Sequence, residues 1–126
     1  MAQERIGRHR LVVGAHYGTR DFIVQRMTAL IMAIYTLILV FYTVFVPDLN
    51  FESWRAVFLF KVGVLPVGQT LATVVFVSIA WHAWVGVRDI WMDYARSDGL
   101  RMILQTLTAM WLVGAIVFFA QILWSL

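Results

Sequence analysis

The chain has 126 residues, of which 62% are hydrophobic and only 17 are charged, 10 basic and 7 acidic. With a mean hydropathy of +0.81, this composition excludes an ordinary water-soluble domain, in which about a quarter of the residues are charged. The sequence pI is near 9.8, but the basic residues lie at the edges of apolar segments, so we interpret them as topology signals and not as a nucleic-acid surface. The chain has no cysteine, which excludes disulfides and thiolate-bound metal and leaves histidine as the natural ligand for iron.

Three apolar segments follow one another along the chain, at residues 22–46, 64–91 and 102–126. Each has at least 25 residues, whereas about 20 residues in a helix span the hydrocarbon core of a bilayer. Backbone groups must bond to one another in lipid, and three segments cannot close a barrel, so we expect helices. The sequence therefore predicts a single all-α membrane domain over residues 1–126, with three transmembrane helices running up-down-up.

Basic residues divide unequally between the two ends of these spans. Only Arg55 and Lys61 fall between the first and second spans. Eight arginines lie at the opposite end, before or within the start of the first span or beside the 92–101 connection: Arg5, Arg8, Arg10, Arg20, Arg26, Arg88, Arg96 and Arg101. Since positive charge favours the cytoplasmic side, we predict that the N-terminus and the 92–101 connection lie inside and the C-terminus outside.

The first span is preceded by a polar segment, which we expect to be a basic arm over residues 1–20 with no helical period. Capping side chains at residues 19–21 predict that the first helix begins there. At the other end, Pro47 and Asp48 are expected to terminate it.

A short amphipathic pattern follows, over residues 50–60, where aromatic residues recur at spacings of three and four. It predicts a helix lying in the outer interface of the membrane. The alternative is an extension of the second span that bends near Pro66. Gly63, Pro66 and Gly68 predict a break in this stretch in either case.

His82 lies inside the second apolar segment, where a titratable side chain is costly and is by default functional. The alternative is a histidine that forms a hydrogen bond across a helix interface. Helical spacing places Gly86, Asp89 and Asp93 on the same face, and the glycine leaves room for a flat ligand or a close-packed helix. Two residues on the opposite side are expected to face lipid or another subunit: Trp84 and Trp91.

Arg26 is predicted to lie at a depth similar to that of His82, since both are roughly 7–9 Å inside the inner boundary at a rise of about 1.5 Å per residue. Its side chain either reaches back to the headgroups or neutralises an acidic group on a ligand that His82 holds. A histidine, a gap and a cation together form a plausible half-site for a haem with propionates. Because His9 and His16 lie in the polar arm, a second axial ligand is expected from another subunit.

Two stretches, D-F-I-V-Q-R-M-T-A at residues 21–29 and H-A-W-V-G-V-R-D-I-W-M-D-Y at residues 82–94, resemble a known family. The chain resembles the small hydrophobic membrane anchor subunit of bacterial succinate:ubiquinone oxidoreductase, the succinate dehydrogenase of respiratory complex II. The continuation R-M-I-L-Q at residues 101–105 also fits. Span number and topology extend the resemblance over nearly the whole chain.

This resemblance implies a role for four of these residues. His82 would be an axial ligand of haem b, shared with a histidine of a companion three-helix anchor of the cytochrome b type, and Arg26 would lie near the haem propionates. Tyr94 would donate a hydrogen bond to ubiquinone, with Asp93 beside it. The chain would have no catalysis of its own, and would anchor the flavoprotein and iron–sulfur subunits to the bacterial inner membrane with its C-terminus in the periplasm.

One position departs from the family pattern, since Arg20 stands where close relatives carry a histidine before the D-F pair. An arginine still supplies positive charge for a propionate, but it does not titrate near neutral pH. Two other functions remain open on the sequence alone. One is a haem-free anchor of a quinol:fumarate reductase, and the other is a small proton-coupled transporter that uses His82, Asp89 and Asp93.

Overall fold

The computed structural model describes residues 15–126, with side chains from Gly18 onward. Its regular structure in that range is helical, apart from one isolated bridge, and three of the helices are long and apolar enough to cross a membrane. This confirms the all-α prediction with three spans, while the predicted arm falls largely outside the described residues. The helices in chain order are α1 (Ala15–Phe45), α2 (Phe51–Phe58), α3 (Val67–Tyr94) and α4 (Asp98–Trp124).

The start of α1 differs from the prediction. The helix already includes Ala15, so Thr19 and Asp21 lie within it and do not cap it. A membrane helix need not end where the hydrocarbon ends, because intrahelical hydrogen bonds satisfy its backbone in water as well as in lipid. The other end agrees with the prediction, since α1 stops at Phe45, just before Pro47, and the residue before a proline is disfavoured in a helix.

The amphipathic segment forms a short helix of its own, α2, and not a bent extension of α3; its place in the outer interface stays a prediction. Asn50 caps it, accepting a hydrogen bond from the Ser53 N–H while the Ser53 hydroxyl accepts one from the Asn50 N–H. A tight turn follows in which Val62 and Leu65 pair through their backbones. Gly63 adopts φ 61° there, a left-handed conformation that glycine adopts without steric cost.

Helix α3 is the centre of the fold, because it packs against α1, α2 and α4. In lipid, helices gain no hydrophobic free energy by associating. Close packing of small side chains therefore has to stabilise their contacts. Four of the seven buried positions of α3 are indeed small, Gly68, Ala72, Ser78 and Ala80, and the other three are Gln69, Val75 and Val85. In contrast, α1 and α4 expose many large apolar side chains, which leaves their outer faces to lipid or partner subunits.

The two tryptophans of α3 face α4, so the expectation that they face lipid or another subunit is wrong. The indole N–H of Trp91 donates to the Thr108 hydroxyl at 3.0 Å, and Trp84 lines a cavity between α3 and α4. Further along this seam the rings of Phe76 and Phe119 stack with centroids 3.9 Å apart. The side of α3 that is opposite to His82 is therefore a helix interface.

Gly68→Ala tests the close approach of α2 to α3. A Cβ at this position would lie 2.5 Å from the backbone oxygens of Val57 and Phe58, and backbone atoms cannot move aside as a flexible side chain can. We expect a loss of about 1–3 kcal/mol in unfolding free energy. Thermal unfolding of the purified protein in detergent measures it.

Gly114→Ala in α4 is the matched control, because a Cβ there meets nothing within 4 Å. It should be neutral or stabilise by up to about 1 kcal/mol through helix propensity. Equal stability of the two variants would contradict the tight contact at Gly68.

Candidate functional site

His82 is held by two side chains of α1. Its ring Nδ1 lies 3.0 Å from the Thr28 hydroxyl oxygen. Its backbone carbonyl accepts a hydrogen bond of 3.1 Å from the side-chain amide of Gln25. Both the ring and the backbone of His82 are therefore fixed by one neighbouring helix, and the alternative of a histidine bonded across a helix interface holds for Nδ1.

The second ring nitrogen of His82, Nε2, has no hydrogen-bond partner in residues 18–126. The side chain is half-buried, so this nitrogen is neither sealed in the core nor satisfied within the described part of the chain. An imidazole that is anchored through one nitrogen and free at the other is the usual arrangement of a histidine ligand. His82 can thus serve both helix packing and an external ligand.

The glycine one turn beyond His82 is in contact with α1. A Cβ added to Gly86 would lie 3.7 Å from the side-chain nitrogen of Gln25, an ordinary van der Waals distance. Of the two uses predicted for this space, the structure shows a neighbouring helix in contact, and the flat ligand stays a prediction. The same approach lets Gln25 reach the His82 carbonyl.

Arg26 lies at the level of His82, because Gln25 just before it in α1 and Thr28 two residues after it both bond to His82. Its side chain points elsewhere, since two residues along a helix rotate it by about 160° from the Thr28 direction. The exposed guanidinium lies over the Phe22 ring, 4.4 Å from its centroid. The structure therefore does not bring Arg26 and the His82 ring together, and Arg26 has no carboxylate partner among residues 18–126. Arg20 is likewise exposed.

Asp93 and Tyr94 are the last two residues of α3. Both are exposed, and Tyr94 is 80% accessible. Neither has a hydrogen-bond partner in the described part of the chain. Twelve residues of helix separate Tyr94 from His82, a rise of about 18 Å, so these side chains belong to a second location at the end of the helix.

Sequence reasoning missed an ion pair that joins α1 to α3 near this end. Arg88 donates to the Asp21 carboxylate at 2.5 Å and to the neighbouring Asp89 at 3.2 Å. The prediction treated Arg88 only as a charge flanking the connection and Asp21 only as a cap. Opposite charges at matched depth on consecutive antiparallel spans were the signal that could have identified the pair.

An open cavity of about 780 Å³, lined by both polar and apolar side chains, lies beside this ion pair, between α1, α3 and α4. Gln25, Arg88 and Gln105 are among its lining residues, and the Arg88 Nε is buried without a partner. In residues 18–126 no three His, Asp or Glu side chains gather in a way that could hold a bare metal ion. Within the described residues, the candidate metal-binding group is accordingly the imidazole of His82.

Comparisons with known proteins agree with the resemblance drawn from the sequence. Residues 2–122 match the family described as the succinate dehydrogenase/fumarate reductase transmembrane subunit. The chain is also similar to the succinate dehydrogenase hydrophobic membrane anchor subunit of Coxiella burnetii, with 34% identity over 107 residues that cover 85% of this chain and 89% of the relative. The family match includes all the candidate site residues.

Asp21→Asn tests the ion pair between α1 and α3. It leaves the partly buried Arg88 without its closer carboxylate, so we expect α1 to dock less tightly. The pair is about a quarter exposed on each side, between the surface and fully buried cases, and we expect a loss of about 1–3 kcal/mol. The thermal midpoint of the detergent-solubilised protein reports it.

The matched control is Asp89→Asn, which removes the other carboxylate near Arg88. Asp89 is 54% exposed and its contact is longer, so this change should cost under about 1 kcal/mol. A larger loss at Asp89 than at Asp21 would contradict the assignment of the inter-helix pair as the stabilising one.

Proposed function

This chain belongs to the succinate dehydrogenase/fumarate reductase transmembrane subunit family, and we propose that it is a membrane anchor of a succinate:ubiquinone oxidoreductase in the bacterial cytoplasmic membrane. In this proposal the chain has no catalysis alone. The flavoprotein and iron–sulfur subunits oxidise succinate on the cytoplasmic side, and the electrons reach ubiquinone at the inner membrane edge. The chain and the companion cytochrome b-type anchor supply the docking surface, a haem b site and part of the quinone pocket.

The free Nε2 of His82 is the observation that carries the proposal. A neutral imidazole nitrogen is a common axial ligand of haem iron, and this one is fixed in orientation by α1 through Nδ1. His82 would hold haem b from one side, and the companion anchor would provide the other axial ligand. A bound haem b supplies reversible one-electron redox chemistry.

Arg26 would bind the haem propionates. It is a permanent cation at the level of His82, it has no carboxylate partner among residues 18–126, and it is exposed on a face of α1 that α3 does not cover. Arg20, about 9 Å nearer the inner end of the same helix, would add positive charge for a propionate. The Phe22 ring is the contact of the Arg26 guanidinium within the described residues, and it leaves the positive charge without an anion, which a propionate would supply from outside the chain.

Tyr94 would contact ubiquinone, with Asp93 helping to shape that site. The phenol hydroxyl is unbonded within the described residues and lies at the end of a membrane span. There it can donate a hydrogen bond to a quinone carbonyl while the ring contributes an apolar wall. The position also suits electron delivery from soluble subunits on the same side of the membrane.

The family includes fumarate reductase subunits as well, so a haem-free anchor of a quinol:fumarate reductase is the second candidate. In that case His82 would only pack against α1. The free Nε2 favours the haem-binding anchor, because a purely structural histidine at this depth would leave a polar atom without a partner.

His82→Ala should abolish or strongly reduce the haem b signal of the complex, since it removes one of two axial ligands. The measurement is the reduced-minus-oxidised visible spectrum, including the Soret band, of the complex purified through a tag on this chain. Mass spectrometry of the same sample should identify the flavoprotein, the iron–sulfur protein and the second anchor.

Ser78→Ala is the control for this change, because Ser78 lies one turn before His82 in α3 and only donates back to the Val74 carbonyl. It should leave the spectrum unchanged. A wild-type complex that co-purifies with its partner subunits but has no Soret band would support the haem-free anchor instead.

Tyr94→Phe should lower kcat/KM for ubiquinone roughly two- to tenfold, because a neutral hydrogen bond contributes about 0.5–1.5 kcal/mol. Haem content and succinate oxidation with a soluble electron acceptor should remain normal. Tyr35→Phe is the control, because it removes a phenol hydroxyl in the middle of α1, beside a cavity that Tyr42 and Phe60 also line. Unchanged quinone kinetics in Tyr94→Phe would exclude this residue from the quinone site.

A further inference from the structure

We propose that Thr28 is a positioning residue for the haem ligand: its hydroxyl accepts the Nδ1–H of His82, and so selects the tautomer in which Nε2 carries the free lone pair. This inference rests on the proposed function and names a residue of α1 that acts through His82. It concerns how the ligand is presented and not which residue binds the iron.

The proton count of the Thr28 hydroxyl determines the direction of its bond to His82. The hydroxyl oxygen lies 2.7 Å from the Val24 carbonyl and 3.2 Å from the Gln25 carbonyl, and carbonyl oxygens can only accept. A hydroxyl has one proton. If that proton pointed to His82, two oxygens would face each other at 2.7 Å with no hydrogen between them, which is repulsive. The hydroxyl therefore donates within α1 and accepts from His82.

The imidazole of His82 must then carry its proton on Nδ1. A neutral imidazole has one N–H and one lone pair, so the lone pair lies on Nε2, the nitrogen without a partner in residues 18–126. Thr28 is only 9% exposed, so water cannot easily replace its oxygen. The hydrogen bond from the Gln25 side chain to the His82 carbonyl holds the backbone of His82 and limits rotation of α3 against α1 at this point.

This bond has an electronic consequence for a bound iron. A histidine that binds iron through one ring nitrogen can donate the N–H of its other nitrogen to an acceptor. Such a hydrogen bond raises the basicity of the nitrogen that binds the iron and fixes the orientation of the ring. A more basic ligand stabilises the oxidised iron, so it lowers the reduction potential. Thr28 is thus expected to lower the potential of haem b and to increase haem retention.

Thr28→Val removes the acceptor while keeping the shape of the side chain. In the intact complex we expect a more positive midpoint potential of haem b, an altered low-spin electron paramagnetic resonance signal and about tenfold weaker haem retention. Thr28→Ser, which keeps the hydroxyl, should restore the wild-type potential and signal. Potentiometric titration followed in the visible spectrum measures the first effect, and haem loss to an excess of apomyoglobin measures the last.

Thr43→Val is the matched control, because Thr43 is also in α1 and its hydroxyl only donates to the Val40 carbonyl. It should leave the potential unchanged. The proposal is overturned if Thr28→Val has the potential of Thr43→Val, or if Thr28→Ser shifts as far as Thr28→Val. If Thr28→Val prevents assembly, Thr28→Ala removes the acceptor without adding bulk and is compared with Thr28→Ser in the same way.

The outcome of His82→Ala separates this inference from the proposed function. A complex whose haem spectrum does not depend on His82 overturns the proposed function and this inference with it. A complex whose haem requires His82, but whose potential does not respond to Thr28, overturns this inference alone.

Discussion

The lipid interior offers no water, so every polar side chain between α1 and α3 has to find its partner within the protein. Three residues of α1 at spacings of four and three, Asp21, Gln25 and Thr28, form one polar stripe that faces α3. They bond to Arg88, to the His82 carbonyl and to the His82 ring. A shift of α1 by one turn would break all three of these contacts with α3. The stripe therefore fixes the register of the two helices and the orientation of His82.

The seam between α3 and α4 is held differently. The rings of Phe76 and Phe119 stack within it, and polar contacts lie nearer its ends, such as the bond from Trp91 to Thr108. Stacked and apolar contacts tolerate small shifts, whereas hydrogen bonds to a single ring nitrogen do not. The candidate site accordingly lies on the α1–α3 seam, while α4 mainly completes the packing around α3.

The sequence was sufficient for the spans and for α2, because bilayer thickness fixes helix length and the amphipathic period is local. It was insufficient for the start of α1 at Ala15, since polar residues can continue a helix beyond the hydrocarbon. The prediction of which way Trp84 and Trp91 face was wrong for another reason. A helical projection shows which residues share a face, but not which neighbouring helix covers it. The roles of Gln25 and Thr28 depend on that same tertiary pairing, so no local pattern revealed them.

The two interpretations of His82 from the sequence, an interface hydrogen bond or a ligand, are compatible because an imidazole has two nitrogens with separate tasks. Nδ1 is committed to Thr28, so its burial cost is offset inside the chain. Nε2 has no such partner in residues 18–126, and Arg26 points away from α3 at the same level. Both groups are therefore available to a surface outside the described part of the chain. In the function that we propose, a site divided between two anchor subunits would meet both groups with one haem, whose iron would face the imidazole and whose propionates would reach the cation.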